Sequence, residues 1–145
     1  MGTKLFCYGT LLLPSNIMYN VLSLFSNSVT PAYMQGKLFT IGEYPYPFAT
    51  STDNPDSLVF GKVFDLKEPK LLEIIDQYEG YNENSEMGTN FYKREKKEVI
   101  DVYGEKHEVY VYLVNTDVEM PDCDEILGGD YIDYVTREML SMMDS

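Results

Sequence analysis

Cysteine and histidine are scarce in this sequence. Of its 145 residues, two are cysteines and one is a histidine. Cys7 and Cys123 are too few for a disulfide-dense scaffold, and Cys7 lies in an apolar stretch, where a cysteine behaves as a small buried hydrophobic residue. His107 alone cannot supply a multi-histidine metal site, and no spacing of cysteine, histidine and carboxylate is typical of zinc. We therefore expect neither a metal ion nor another cofactor.

Positive charge and long apolar runs are also in short supply. Lysine and arginine number 11 against 24 acidic residues, which gives a formal net charge of −13. Such an acidic surface disfavours binding to nucleic acid and to anionic membranes. No window approaches the roughly 18 apolar residues of a membrane span, and the amino terminus lacks a signal-peptide pattern. We expect a soluble cytoplasmic protein, a monomer, with neither nucleic acid nor a membrane as partner.

Tryptophan is absent, but the other aromatic residues are plentiful. The sequence has 13 tyrosines and 7 phenylalanines, many of them in stretches with strand character, which suits a β-rich fold. Hydrophobic residues make up 44% of the chain, enough for one core at this length. We expect one domain that spans residues 1–145.

Alternation of apolar and polar residues predicts six strands. They are expected at residues 4–8, 32–41, 48–50, 57–66, 91–103 and 107–115. The last two form a predicted hairpin around Gly104, and Gly61 inside the fourth indicates a bulge or a close backbone approach. Residues 116–125 are expected to form an acidic loop.

Three helices are predicted from three- and four-residue apolar spacing and from capping signals. The first begins after Ser15 and ends near Asn27, the second begins at Pro69 and ends before Gly80, and the third covers 131–143 with Asp130 as its N-cap. Strands outnumber helices and do not alternate regularly with them. This order predicts an α+β fold, a mixed sheet or small barrel with helices outside, rather than a doubly wound parallel sheet.

Glu79 is the most interesting carboxylate in the sequence. It lies at a predicted helix end between Tyr78 and the pair Gly80-Tyr81. A helix carboxyl terminus and aromatic walls both disfavour a negative charge, so we expect the pKa of Glu79 to be raised, as a general acid/base requires. On position alone, however, a solvated glutamate at a helix end is the commoner case.

The first predicted strand ends in Tyr8-Gly9-Thr10-Leu11. A strand that ends in such a turn presents backbone N–H groups that can bind a carboxylate or a phosphate. The segment lacks the lysine of a phosphate-binding loop, and no serine lies in a nucleophile motif. We interpret His107 as a surface strand residue and expect Arg94 to pair with a carboxylate for structural reasons.

Taken in order, these segments resemble the γ-glutamylcyclotransferase-like superfamily, which includes the AIG2-like proteins and the γ-glutamylamine cyclotransferases. The resemblance covers about residues 4–131 and depends most on YGTL at 8–11 paired with D-x-Y-E-G-Y at 76–81. It also rests on GKLF at 36–39, GEYP at 42–45, GKVF at 61–64, YKR at 92–94 and YVY at 110–112.

The resemblance implies a small mixed β-barrel flanked by helices and the release of 5-oxoproline from a γ-glutamyl amine or amino acid. It implies that Glu79 is the catalytic acid/base and that Tyr8, Gly9, Thr10 and Leu11 bind the substrate. Tyr44 and Tyr112 are further candidates for the pocket wall, and Tyr112 is a candidate to donate a hydrogen bond to Glu79 or to the substrate. The substrate's own α-amine is the nucleophile, so the reaction needs neither a metal nor an enzyme nucleophile.

Two alternatives stay open at the level of sequence. One is a non-catalytic ligand-binding or regulatory module on the same fold, because fold alone does not fix function. The other is the removal of a γ-glutamyl group from a biosynthetic intermediate. The leaving group is also open, and the polar residues after Tyr81 are candidates to gate access or to select an amine-bearing leaving group.

Overall fold

A computed structural model describes residues 3–13, 16–41, 47–79, 92–114 and 123–143. The strands are β1 (Thr3–Cys7), β2 (Ser26–Gln35), β3 (Lys37–Ile41), β4 (Pro47–Thr50), β5 (Leu58–Leu66), β6 (Tyr92–Asp101), β7 (Lys106–Val114) and β8 (Cys123–Glu125). The helices are α1 (Ile17–Leu24), α2 (Leu71–Glu79) and α3 (Tyr131–Met143), and a 3₁₀ turn covers Thr10–Leu12.

Five strands close into a barrel in the order β1-β5-β2-β6-β7. All but one of its pairings are antiparallel. The exception joins β1 to β7 in parallel, with Leu5 opposite Tyr110, and it closes the barrel. A smaller sheet contains β4, β3 and β8. The mixed barrel with helices that we predicted, and its α+β class, are therefore confirmed.

Two apolar clusters follow from the alternation of side chains along the barrel strands. The first takes members from all five barrel strands, among them Phe6, Ala32, Val59, Val99 and Val109, and therefore fills the barrel. The second lies on the outer face and includes Leu5 and Phe64 with Leu22 of α1 and Ile75 of α2. Val111 belongs to the first cluster and Tyr112 to the second, so successive side chains of β7 alternate between the inside and the outside of the barrel.

The structure corrects several predicted boundaries. Helix α1 ends at Leu24, not near Asn27, because the chain is already paired with β5 from Ser26 onward. The single strand predicted over residues 32–41 is in fact two strands: β2 begins six residues earlier, at Ser26, and ends at Gln35, and β3 covers Lys37–Ile41 in the smaller sheet. The polar first half of β2 hid its start from the alternation rule. Asn16 is the N-cap of α1, with its side chain accepting a hydrogen bond from Met18 N–H.

A second correction concerns the predicted acidic loop at 116–125. Its last three residues form β8, which pairs with β3. Three residues are too few for alternation to be recognised in a sequence. Two other local predictions are accurate: Asp130 caps α3 by accepting from Asp133 N–H, and Gly104 adopts φ +87° in the β6–β7 turn. Helix α2 begins at Leu71, two residues after the predicted start at Pro69.

Gly61 provides a close backbone approach, one of the two roles predicted for it. A Cβ at this position would lie 2.1 Å from the carbonyl oxygen of Cys7. Only glycine lets β5 and β1 come this close, directly beside the end of β1. The glycine thereby helps to set the position of the turn that follows β1.

Candidate functional site

A pocket opens where the end of β1 meets the starts of β4 and β6 and the far half of β7. Its lining residues come from four separate segments of the chain and are Phe6, Cys7, Tyr8, Gly9, Leu11, Pro47, Tyr92 and Tyr112. Four of the predicted substrate-binding residues therefore meet at one pocket. Thr10 lies in the same 3₁₀ turn, with only its backbone described. Tyr44 lies outside the described residues.

Tyr8 forms part of the pocket wall, and its hydroxyl joins three elements of the fold. The side chain is 7% exposed. Its hydroxyl donates to the carbonyl oxygen of Tyr112 at 2.5 Å and accepts from Ala49 N–H at 3.1 Å. Because the hydroxyl is engaged on both sides, Tyr8 presents mainly its ring to the pocket.

The turn after β1 is tightly packed. Leu12 N–H donates to Gly9 O at 2.9 Å, and a Cβ on Gly9 would lie 2.7 Å from Cγ of Pro47. Glycine at this position therefore allows β4 to begin against the turn. The first N–H groups of a 3₁₀ turn have no carbonyl partner within it, so those of Thr10 and Leu11 are not used by the turn itself.

Tyr112 connects the pocket to helix α2. Its ring lines the pocket, and its hydroxyl, which we expected to serve Glu79 or the substrate, donates to Oδ1 of Asp76 at 2.5 Å. The other oxygen of Asp76, Oδ2, forms an ion pair with Nη1 of Arg94. The structural ion pair predicted for Arg94 is therefore confirmed, with Asp76 as its partner.

Glu79 is the last residue of α2, and the structure describes its backbone but not its side chain. The helix packs on the outer face of the barrel through Leu71, Leu72 and Ile75. Asp76 lies one helical turn before Glu79 and touches the pocket residue Tyr112. The chain thus brings the position of Glu79 to the same region as the β1 turn, and the role of its carboxylate stays a prediction.

Sequence reasoning assigned no site role to Asp76, Tyr92 or Pro47. Tyr92 lines the pocket and donates from its hydroxyl to Pro47 O at 2.7 Å, which joins the start of β6 to the start of β4. Both Asp76 and Tyr92 lie inside motifs that carried the resemblance. Their presence there was the available signal, but only the fold reveals which partners they contact.

A second polar cluster lies at the hairpin turn between β6 and β7. His107 is 14% exposed there, so our interpretation of it as a surface residue is wrong. Lys4 Nζ lies 2.9 Å from His107 Nδ1, and His107 Nε2 lies 2.7 Å from Oδ2 of Asp101. An ammonium group can only donate, so Nδ1 accepts and Nε2 carries the proton in this arrangement.

Asp101 organises that turn. Its Oδ1 accepts from Tyr103 N–H at 2.8 Å and from Glu105 N–H at 3.0 Å. The hydrogen bond from His107, together with those two N–H groups, holds the pKa of Asp101 below its usual value against the opposing effect of burial. Within the described ranges, one group of side chains has donor atoms close enough together to hold a metal ion, and it consists of Asp101, Glu105 and His107. The hydrogen bonds just described give Asp101 and His107 a structural role in the turn.

Among the described residues, no helix is long and apolar enough to cross a membrane.

Comparisons with solved structures show the fold. YkqA from Bacillus subtilis matches 99% of this chain at 20% identity, with a TM-score of 0.67, and this chain spans 43% of the length of that protein. A mouse AIG2-like protein matches 79% of this chain and 78% of its own at 18% identity, with a TM-score of 0.59. A structure named γ-glutamyl cyclotransferase matches 86% of this chain and 70% of its own at 18% identity, with a TM-score of 0.55.

The comparison with protein families is more specific than the comparison of folds. No curated protein matches the chain. The model of one family, described as γ-glutamyl cyclotransferase, AIG2-like, matches residues 5–133, which include β1 from Leu5 onward, the turn after it, and the whole of α2. The chain therefore belongs to the γ-glutamyl cyclotransferase, AIG2-like family.

Proposed function

We propose that this protein is a γ-glutamyl cyclotransferase that releases 5-oxoproline from a γ-glutamyl amine or a γ-glutamyl amino acid. One observation carries the proposal beyond family membership. The turn after β1 and the ring of Tyr112 line one pocket, and Tyr112 is hydrogen-bonded to α2 one helical turn before Glu79. This connection supports a common site for the residues that the resemblance assigns to binding and to catalysis.

The reaction is an intramolecular acyl transfer. The α-amine of the glutamyl unit attacks the γ-carbonyl, a C–N bond closes the five-membered lactam, and the C–N bond to the leaving amine breaks. The α-ammonium loses two protons as it becomes the lactam N–H, and the departing nitrogen gains two protons as it leaves as an ammonium ion, so the step is balanced without a redox partner. Holding the two reacting atoms together could supply about 7–11 kcal/mol of the barrier reduction.

Glu79 is the group that we assign to the proton transfer. A carboxylate with a raised pKa can take the proton from the α-ammonium and return it to the leaving amine. The N–H groups of the Gly9–Leu11 turn are assigned to the α-carboxylate or to the oxyanion that develops at the γ-carbonyl. Tyr8, Tyr44 and Tyr112 are assigned to the pocket wall.

The sequence predictions that the comparisons leave open stay part of this proposal. They are a single domain over residues 1–145, a monomer, a cytoplasmic location, and neither nucleic acid nor a membrane as partner.

The direct test is release of 5-oxoproline without added metal from a panel of γ-glutamyl amines, γ-glutamyl amino acids and glutathione. Glu79→Gln should keep the melting temperature and lower kcat by about 10²–10⁴-fold, the usual contribution of a general acid/base. Glu73→Gln is the matched control, because Glu73 is an exposed glutamate in the first turn of the same helix. Its turnover should equal that of the wild type.

The opposite results point elsewhere. Full turnover in Glu79→Gln, with melting unchanged, would remove Glu79 from the mechanism. No release from any substrate, with a saturable thermal shift from one of them, would favour the ligand-binding module.

A further inference from the structure

Asp76 occupies an unusual position between α2 and the barrel. Its side chain and that of Arg94 are both 16% exposed, so the ion pair is largely withdrawn from water. Each carboxylate oxygen has its own partner: Oδ2 contacts Arg94 of β6, and Oδ1 accepts from Tyr112 of β7. One carboxylate thus ties the helix to two strands.

The two partners of Asp76 are themselves neighbours. Arg94 and Tyr112 are directly opposite each other in the β6–β7 pairing. The guanidinium of Arg94 also lies 5.2 Å from the ring centroid of Tyr110, a cation–π distance that restrains its position from the strand side. Asp76 therefore contacts a rigid cross-strand pair, and that pair fixes the helix in register with the barrel.

The same contact determines one wall of the pocket. Tyr112 lines the pocket, accepts the hydrogen bond of the Tyr8 hydroxyl at its carbonyl oxygen, and donates from its own hydroxyl to Asp76. Movement of Asp76 would therefore displace a pocket wall. It would also displace the last turn of α2, because Glu79 is only three residues further along the helix.

We propose that Asp76 is a positioning residue, which acts through Arg94 and Tyr112 to hold both the Tyr112 wall and the carboxyl-terminal turn of α2 in the geometry needed for turnover. This inference rests on the proposed function, because it concerns the placement of Glu79. Asp76 acts through its neighbours, so its loss should affect the rate of the chemical step more than ground-state binding. A misplacement of about 1 Å can cost roughly 100-fold in rate.

The experiment compares Asp76→Asn, Tyr112→Phe and wild type for kcat, KM and melting temperature with the best substrate of the panel. Asp76→Asn removes the charge and keeps the shape, and we expect kcat to fall by about 10–100-fold while KM changes by less than about threefold. Tyr112→Phe keeps the ring and the ion pair, and we expect a smaller fall in kcat. If Asp76→Asn does not fold, Tyr112→Phe and Arg94→Lys carry the test.

A double variant separates positioning from independent effects. If Asp76 acts through the Tyr112 hydroxyl, the double variant Asp76→Asn/Tyr112→Phe should lose less than the product of the two single losses. Arg94→Lys keeps a cation and should retain more activity than Arg94→Gln, although it loses the planar fork. Asp133→Asn is the matched control, because it breaks an exposed ion pair with Arg137 on α3 and should leave kcat unchanged.

The outcomes distinguish this inference from the function on which it rests. If Asp76→Asn turns over substrate as fast as the wild type, the positioning role alone is overturned. If the loss of kcat in the double variant equals the product of the two single losses, the connection through Tyr112 is overturned. A wild-type protein without turnover on any substrate would overturn the proposed function and this inference together.

Discussion

Two polar clusters of similar chemistry lie at different places on the barrel, and they are built in different ways. Each has a largely buried carboxylate, Asp76 near the pocket and Asp101 at the hairpin turn. Asp101 accepts from backbone N–H groups two and four positions away. Asp76 contacts side chains 18 and 36 positions away. The hairpin cluster shapes a turn, whereas the pocket cluster fixes a helix to a sheet.

This difference determines what each cluster can do. A carboxylate bonded to its own turn stabilises that turn and transmits little to the rest of the fold. A carboxylate that joins a helix to two strands transmits any change to all three. We therefore expect substitutions at the pocket cluster to affect activity and those at the hairpin cluster to affect stability.

The largest expected difference between the two clusters comes from substituting the cationic or basic residue that contacts each carboxylate. Arg94→Gln leaves Asp76 without its counter-charge in a site largely withdrawn from water, and we expect a loss of about 1–3 kcal/mol in the free energy of unfolding together with a fall in kcat. His107→Gln should lower stability and leave kcat as it is. Chemical denaturation and 5-oxoproline release, measured on both variants, check this pair. Equal loss of kcat in both would contradict the division between the clusters.

A second contrast concerns acid denaturation. Because the pKa of Asp101 is lowered in the folded protein, its ionised form contributes stability that is fully present above the unfolded value near pH 4. That contribution is lost as the pH falls through the lower folded value. Asp101→Asn should therefore flatten the decline of melting temperature below about pH 4. A decline as steep as that of wild type would show that other carboxylates dominate, and Asp133→Asn is the control for an exposed carboxylate.

The smallest expected effect is that of Lys4→Gln. Lys4 donates to His107, which stays bonded to Asp101 when Lys4 is removed. The loss in unfolding free energy should stay within about 0.5–1 kcal/mol, the usual range for a hydrogen bond at a partly exposed site. Thermal melting at pH 7 checks it, and a change in kcat would mean that the hairpin cluster does communicate with the pocket.

The comparison of clusters also explains what the sequence could predict. Alternation and capping were enough for the β6–β7 hairpin and its Gly104 turn and for the cap of α3 by Asp130, because these depend on residues a few positions apart. The strand β8 and the first half of β2 were missed, since their identity comes from pairing with distant partners. Asp76 was missed for the same reason. Glu79 differs from the other glutamates mainly in the motif around it. That motif pointed to a catalytic role only because of the resemblance to a known family.

The parallel pair between β1 and β7 has a consequence for how the chain folds. Closure of the barrel requires the first strand to meet a strand near the end of the chain, and the hydroxyl of Tyr8 finds its acceptor 104 positions later, on Tyr112. Contacts of such high sequence separation carry a large loop-closure entropy and slow the search for the native state. During synthesis the apolar strand β1 stays without this partner until β7 has left the ribosome. The pocket is complete only once this long-range pairing has formed, because β1 and β7 both line it.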